Sequence, residues 1–123
     1  MAAAAVGTSF GSSAWLCCIS DFAVMRKGSI MSVSSPRLVS MAIGEKVDLE
    51  DLGGWRIHAE YTGLIDRHTK TDEEAMGEIR TFLSYMPNHN MELPPERAPA
   101  DDAAQDQDAI LEILPEKRTQ VYD

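Results

Sequence analysis

"GTSFGSSAWLCCISDFAVM" occupies residues 7–25, where a loop of Gly, Ser and Thr leads directly into an apolar segment. The loop predicts bare backbone at the start of a short helix that runs from Trp15 to about Ser20. The apolar run "FAVM" at 22–25 then predicts a buried strand. A loop, a helix and a strand in this order indicate an α/β fold in which the loop lies against the core.

Capping signals mark the next elements. Segment 29–33 predicts a second strand. After it, Ser35 is placed as an N-cap and Pro36 as the first residue of a helix, and Gly44 is placed to end that helix. The helix over 36–43 is expected to be short and mostly buried.

The middle of the chain is less clear-cut. A short helix is predicted to begin after Asp48 and to stop at Gly53–Gly54. Segment 55–61 alternates like a strand, but its length also allows a helix, so both interpretations stay open. Segment 63–66 predicts a strand that is entered at a glycine.

The strongest helix signal begins near Asp72. Apolar residues recur there at i, i+1, i+4, i+7, i+8 and i+11, which is typical of one apolar stripe along a helix. The stripe consists of Ala75, Met76, Ile79, Phe82, Leu83 and Met86. We expect it to be core or subunit contact, and we expect Pro87 to end the helix.

The composition changes at Pro87. Five of the six prolines lie from that residue onward, together with a high density of Asp, Ala and Gln. Segment 88–108 therefore predicts a flexible acidic linker, because it cannot bury enough apolar surface to offset its ordering entropy. Apolar residues return at 109–123, which predicts the start of a truncated second domain. The predicted division is thus 1–87, 88–108 and 109–123.

Charge and hydropathy exclude several classes of partner. The chain has 123 residues, 44% of them hydrophobic, and a formal net charge of −9 from 20 acidic and 11 basic residues. This acidity argues against nucleic acid or an anionic membrane as the main partner. No apolar run approaches the roughly 18 residues that span a bilayer. The first basic residue, Arg26, comes too late for the basic region of a secretory signal. Reduced cysteines, the favoured interpretation of Cys17 and Cys18, predict a cytoplasmic protein.

Thiols and histidines give no sign of a metal site. Cys17 and Cys18 are adjacent, which is the spacing of neither a zinc site nor a redox pair. Buried reduced thiols are the favoured interpretation, and a strained vicinal disulfide is the alternative. His58, His68 and His89 share no metal-binding spacing, so we predict no metal.

Six short blocks occur in a fixed order before Pro87. They are "FGSS" at 10–13, "SDF" at 20–22, "SPRLV" at 35–39, "IGEKV" at 43–47, "DLGG" at 51–54 with His58, and "TG" at 62–63 with Asp66. In this order they resemble the carboxyltransferase (beta) subunit of biotin-dependent acyl-CoA carboxylases, of the propionyl-, acetyl- and methylcrotonoyl-CoA carboxylase and methylmalonyl-CoA carboxyltransferase type. The resemblance extends over about residues 7–123. It implies the C-terminal part of a crotonase-like (ClpP-like) N-domain, followed by the linker.

The resemblance implies a component that transfers a carboxyl group from carboxybiotin to the alpha carbon of an acyl-CoA. Biotin would be carried on a separate biotinylated carrier, and the implied partners are an acyl-CoA, a biotin carboxylase, the biotin carboxyl carrier protein and further copies of the chain. By position, the backbone N–H groups of Gly11 and Ser12 form the oxyanion hole for the ureido oxygen of biotin. Ser12 stands where a second glycine is usual, and Phe10 where a small residue is usual.

Two other functions stay open. A biotin-dependent decarboxylase of the same family, which moves the carboxyl group from an acyl-CoA to biotin, needs no different residues in this stretch. A non-catalytic remnant that only associates with related subunits also fits, because the family's second oxyanion hole lies in a C-terminal domain and the chain alone is expected to be inactive. The enzymes require Gly11 and Ser12 to present both N–H groups outward, and the remnant does not.

Overall fold

The computed structural model describes residues 1–98 and 109–121. Its elements are β1 (Ala2–Ala5), β2 (Thr8–Phe10), α1 (Ser12–Cys18), β3 (Phe22–Arg26), β4 (Ile30–Ser32), α2 (Pro36–Ile43), α3 (Leu49–Gly53), a π-helical segment (Ile57–Tyr61), β5 (Arg67–Thr69), α4 (Asp72–Leu83) and α5 (Ala109–Ile113). Of the linker predicted at 88–108, residues 88–98 are exposed and lie in no helix or strand. The rest of that segment lies outside the described residues. None of the helices described is long and apolar enough to cross a membrane.

Two parallel sheets form the framework. The larger sheet has the strand order β1-β3-β5, with Met25 beside His68. The smaller sheet pairs β2 with β4, with Ser9 beside Met31. Helix α4 packs on all three strands of the larger sheet, and α1 contacts β1 and β2. Helices therefore cover the larger sheet, which explains why its central strand is a continuous apolar run.

Side chains from both sheets and from α1 form a single buried cluster. Its members are Ala5, Ala14, Cys17, Ala23, Met25, Met31 and Ile65. Because Met31 belongs to β4 and Met25 to β3, the cluster ties the smaller sheet to the larger one. The loop between β2 and α1 is thus followed by a helix whose Ala14 lies in the core, and it is preceded by a strand that pairs with β4.

The apolar stripe of α4 is only partly core. Ala75 is fully buried, and the ring of Phe82 stacks on Phe22 with 4.7 Å between ring centroids. Leu83 and Met86 at the C-terminal end are 52% and 45% exposed. The stripe therefore combines core residues such as Ala75 and Phe82 with exposed apolar residues, which include both residues at its C-terminal end.

The predicted capping residues are confirmed. The Ser35 hydroxyl accepts a first-turn N–H at 3.4 Å, Pro36 is the first residue of α2, and Gly44 ends that helix with φ 73°. Asp48 caps α3 by accepting a first-turn N–H at 2.8 Å. Caps of this kind can be predicted from sequence, because a short polar side chain forms its hydrogen bond with the backbone of nearby residues.

Helix α2 is exposed, so its predicted burial is wrong. Leu38, Met41 and Ile43 are 60%, 73% and 56% exposed, and no residue of the helix is buried. Capping and periodicity predict where a helix forms, but they do not identify the surface that covers its apolar side. In the described part of the chain these side chains face solvent.

Two predicted boundaries are shifted. Helix α1 begins at Ser12 and not at Trp15, because the serines that follow the glycine already adopt helical geometry. The strand predicted at 63–66 lies instead at Arg67–Thr69. Gly63, with φ 61°, bends the chain before that strand begins.

Two other predictions are settled by the helical geometry. The ambiguous segment 55–61 is helical, with π-helical turns over Ile57–Tyr61. Helix α4 ends at Leu83, before Pro87, so this proline is not what ends the helix.

Strands β1 and β2 are not predicted by the sequence. Ala2–Ala5 consists of alanines, which have a weak strand preference, and Thr8–Phe10 is only three residues long. They form strands because β3 and β4 offer parallel edges to pair with. Pairing of this kind depends on segments distant in sequence, which a local pattern does not contain.

Helix α4 begins with a capping box. The Glu74 carboxylate accepts the Lys70 N–H at 2.7 Å and the Thr71 N–H at 3.3 Å. The Thr71 hydroxyl accepts the Glu74 N–H at 3.2 Å in return. The hydrogen bond from the Lys70 N–H, above all, lowers the pKa of Glu74.

We expect Glu74→Gln to be slightly less stable than the wild type at neutral pH and to match it in acid. A carboxyl with a lowered folded pKa adds stability above its unfolded pKa, and this is lost as the pH falls through the folded pKa. Urea midpoints of both proteins between neutral pH and about pH 3 measure the difference. Glu73→Gln, which removes neither bond, is the control. A difference independent of pH would contradict the prediction.

Candidate functional site

The turn between β2 and α1 requires a glycine. Gly11 is the N-cap of α1 and has φ 63° and ψ −127°, a conformation that L side chains rarely adopt. A Cβ at this position would have no atom within 4 Å, so the space beside the turn is open. The glycine is therefore required by backbone geometry, and it leaves the turn accessible to an approaching group.

The Gly11 N–H is engaged within the protein. It donates to the Val33 carbonyl at 3.1 Å and to the Ser32 carbonyl at 3.3 Å, and so prolongs the β2–β4 pairing by one residue. Both bonds are longer than the most common distance for N–H donors. One of the two donors predicted for the oxyanion hole therefore already has acceptors in this structure.

The Ser12 N–H differs from that of Gly11. Ser12 is the exposed first residue of α1, so its N–H has no acceptor within the helix. No acceptor for it occurs among residues 1–98 and 109–121, and no side chain caps the helix. The Ser13 hydroxyl instead donates to the Phe10 carbonyl at 2.9 Å, which closes the loop on itself. The structure thus exposes one predicted donor at a helix N-terminus, where partial positive charge collects.

An apolar cavity lies beside this turn. Its volume is about 350 Å³, and the residues that line it include Ala14 of α1, Ser32 at the end of β4, the following residue Val33, and His58. The carbonyls that accept the Gly11 N–H belong to two of these residues. The turn and the cavity therefore share the end of β4.

Residues from two other elements contact β4 on the edge that does not pair with β2. The His58 Nε2 lies 2.7 Å from the Met31 carbonyl oxygen, and both residues are buried. A Cβ on Gly53 would lie 2.3 Å from the same oxygen, so only glycine fits there. The sequence predicts a helix stop at the Gly53–Gly54 pair and no metal-binding spacing for His58. The spacing Gly-Gly-x-x-x-His is the sequence signal that could have indicated that Gly53 and His58 approach the same strand.

The two adjacent thiols have different environments. Cys17 is buried, and that burial raises its pKa, with a smaller contribution from the neighbouring Cys18 thiolate. Cys18 is exposed, so the prediction of two buried thiols is wrong for it. The vicinal disulfide does not form, since both cysteines are free. Successive helical residues point about 100° apart, which places one thiol in the core and the other outside.

Histidines and acids do not converge in the described part of the chain. Within residues 1–98 and 109–121, no group of three or more His, Cys, Asp and Glu side chains could hold a metal ion. His68 packs edge-on against the Trp55 ring, and His89 lies 3.1 Å from the Glu92 carboxylate. The three histidines thus have separate local contacts.

Comparison with known proteins places this geometry in one family. The carboxyl transferase domain model matches residues 2–123, so the match begins before residue 7, where the resemblance in the sequence begins. The carboxyltransferase subunit of propionyl-CoA carboxylase from Haloferax mediterranei is 34% identical over 121 residues, which are 98% of this chain and 23% of that protein. Methylmalonyl-CoA decarboxylase subunit alpha from Veillonella parvula is 28% identical over 119 residues, 96% of this chain and 23% of that protein.

A solved structure shows the same fold. Transcarboxylase 12S, a hexamer with hydrolysed methylmalonyl-coenzyme A bound, superposes with a TM-score of 0.73 at 25% identity. The superposition covers 99% of this chain and 24% of the transcarboxylase chain. The chain therefore spans about a quarter of the length of the relatives that it matches. The predicted α/β, crotonase-like carboxyltransferase fold is confirmed, and the chain belongs to the carboxyl transferase domain family.

Proposed function

We propose that this chain forms part of a carboxyltransferase component that moves a carboxyl group from carboxybiotin to the alpha carbon of an acyl-CoA. The observation that carries the proposal is the Ser12 N–H, which has no acceptor among the described residues and lies at a helix N-terminus beside an open glycine turn. Family membership supports it, since the Haloferax relative is a propionyl-CoA carboxylase subunit.

The residues of the turn fit the ureido group of biotin. Biotin supplies the carboxyl group and a ureido oxygen on which negative charge develops as that group leaves. Ser12 would donate its N–H to this oxygen, and the partial positive charge of the helix end favours an anion there. Replacing the usual glycine by serine keeps the N–H and leaves the side chain exposed.

Gly11 would supply the second donor. Its N–H is shared between two neutral carbonyls at 3.1 and 3.3 Å. A hydrogen bond to a charged acceptor is roughly twice as strong as one to a neutral acceptor, so a developing oxyanion competes well for this N–H. The open space beside the turn allows the approach.

The same proposal specifies the substrate, the partners, the location and the domain organisation. The substrate is an acyl-CoA, and the partners are a biotin carboxylase, a biotin carboxyl carrier protein and further copies of the chain in the cytoplasm. The transcarboxylase structure is a hexamer with hydrolysed methylmalonyl-coenzyme A bound, which supports both the substrate class and self-association. Segment 88–108 serves as the acidic linker between the domain at 1–87 and the second domain that begins at 109–123.

A biotin-dependent decarboxylase is the second candidate. The Veillonella relative, a methylmalonyl-CoA decarboxylase subunit, favours it. The same two N–H groups would serve, since the ureido oxygen gains and loses charge at the same place in either direction.

A graft tests the proposed activity. Residues 2–123 replace the matching quarter of the Haloferax propionyl-CoA carboxylase subunit, and fixation of labelled bicarbonate into propionyl-CoA is measured with its biotin-bearing partners. We expect carboxylation above a graft in which Gly11 is replaced by Val, because a β-branched side chain is strained at positive φ. Release of carbon dioxide from methylmalonyl-CoA without carboxylation would favour the decarboxylase.

A binding measurement on the chain itself is independent of the graft. The ¹⁵N-labelled full chain is titrated with biocytin, the lysine adduct of biotin, and amide shifts are followed. We expect the Ser12 and Gly11 signals to move and those of β3 to stay. A correctly assembled graft without activity, together with unmoved Ser12 and Gly11 signals, would overturn the proposal and leave the non-catalytic remnant.

A further inference from the structure

We propose that His58 is a positioning residue for the Gly11–Ser12 turn. It acts through β4, whose Met31 carbonyl it holds on one edge, while the carbonyls after Met31 hold Gly11 on the other edge. The inference rests on the proposed function for its catalytic meaning. The contacts that carry it belong to the chain alone.

The first step is the hydrogen bond from His58 to β4. The Met31 carbonyl can only accept, so the Nε2 atom of His58 at 2.7 Å carries the hydrogen. The bond is buried, where losing a partner leaves an unsatisfied carbonyl and costs more than at the surface. The hydrogen bond from the ring therefore fixes where the Met31 carbonyl, and with it the end of β4, lies.

The second step is the orientation of the ring. With the hydrogen on Nε2, the Nδ1 atom accepts from the Thr62 hydroxyl at 3.3 Å, and that hydroxyl also lies 3.4 Å from the His58 carbonyl. The hydroxyl oxygen accepts the Leu64 N–H at 3.3 Å. The Leu64 N–H also donates to the His58 carbonyl at 3.0 Å. Since both ring nitrogens have partners, the ring is held in one orientation.

The third step leads from β4 to the turn. Successive carbonyls of a strand point to opposite edges, so that of Met31 faces His58 while that of Ser32 faces β2. The Ser32 and Val33 carbonyls accept the Gly11 N–H, and Gly11 sets the direction of the first turn of α1. A shift of β4 therefore moves the Ser12 N–H.

A pure packing role for His58 makes a different prediction. If only volume matters, His58→Phe, which has a ring but no donor, should preserve the turn. If the donated hydrogen matters, His58→Gln should preserve it better, because its amide N–H reaches about where Nε2 lies. The two variants therefore separate the roles.

Amide hydrogen exchange of the ¹⁵N-labelled full chain tests the inference. In His58→Phe we expect the Gly11 amide to exchange about tenfold faster than in the wild type, the effect of losing one buried hydrogen bond. The β3 amides of Ala23 and Val24 should keep their rates. In His58→Gln, Gly11 should stay within about twofold of the wild type.

Three results would overturn the inference. Gly11 could exchange at the wild-type rate in His58→Phe, His58→Gln could be as fast as His58→Phe, or the β3 amides could accelerate together with Gly11, which would make His58 a residue of general stability. Biocytin titration of the wild type separates the two proposals. Unmoved Ser12 and Gly11 signals would remove the biotin site, while the exchange rates would still establish His58 as the residue that positions the turn.

Discussion

Ser12→Pro is expected to lower the carboxyl-transfer rate of the graft by about 100- to 1000-fold, the usual effect of removing one oxyanion donor. Ser12 is the first residue of α1. Proline is well tolerated at this position because the N–H there has no helical acceptor and the fixed φ of proline suits a helix. Gly11 before it, with ψ −127°, is outside the α region that a following proline disfavours. The substitution therefore removes the donor and leaves the helix.

Ser12→Ala is the matched control, since it keeps the N–H and loses only an exposed hydroxyl. We expect its rate to stay near that of the unmodified graft, and circular dichroism of both variants to report the same helix content. In the full chain, Ser12→Pro should also weaken the biocytin-induced shift at Gly11. A folded Ser12→Pro graft with an unchanged kcat would show that this N–H takes no part in the reaction.

Gly53→Ala is expected to destabilise the chain by about 3 kcal/mol, at the upper end of the usual cost of overpacking. The added Cβ would lie 2.3 Å from the Met31 carbonyl oxygen and 2.9 Å from its carbon. These are backbone atoms of a buried strand, so no flexible side chain can give way. Either α3 or β4 must therefore move.

Gly77→Ala in α4 is the matched control for this prediction. Its Cβ would have no atom within 4 Å, and the position is inside a helix, where alanine is favoured over glycine by about 1 kcal/mol. Urea unfolding of both variants, at equal m-values, measures the two effects. A Gly53→Ala chain with the wild-type midpoint would mean that α3 and β4 are not packed as closely as described.

The sequence predicts the local features of the fold well. Ser35, Pro36, Gly44 and Asp48 were assigned to their capping positions, and "FAVM" to a buried strand. Each of these signals is contained within a few residues, since a cap bonds to its own first turn and a central parallel strand is apolar along its whole length. The order of the short blocks was also sufficient to identify the family, which the match over residues 2–123 confirms.

Long-range contacts decided what the sequence did not. Ala2–Ala5 forms a strand because β3 lies beside it. The exposure of α2 was not predicted, because no local pattern states what covers an apolar face.

Some features of the candidate site can likewise be predicted from the sequence, and others depend on the tertiary structure. Its glycine and the nature of its donors could be read from "GTSFGSS", because positive φ and bare backbone are properties of single residues. Only the tertiary structure decided that the Gly11 N–H is engaged by β4 and that the Ser12 N–H has no acceptor in the described residues. Only the tertiary structure brought His58 and Gly53 to the far edge of β4. The physical reason is that backbone hydrogen bonds between segments about 20 to 30 residues apart are set by sheet pairing and packing, and these depend on the whole chain at once.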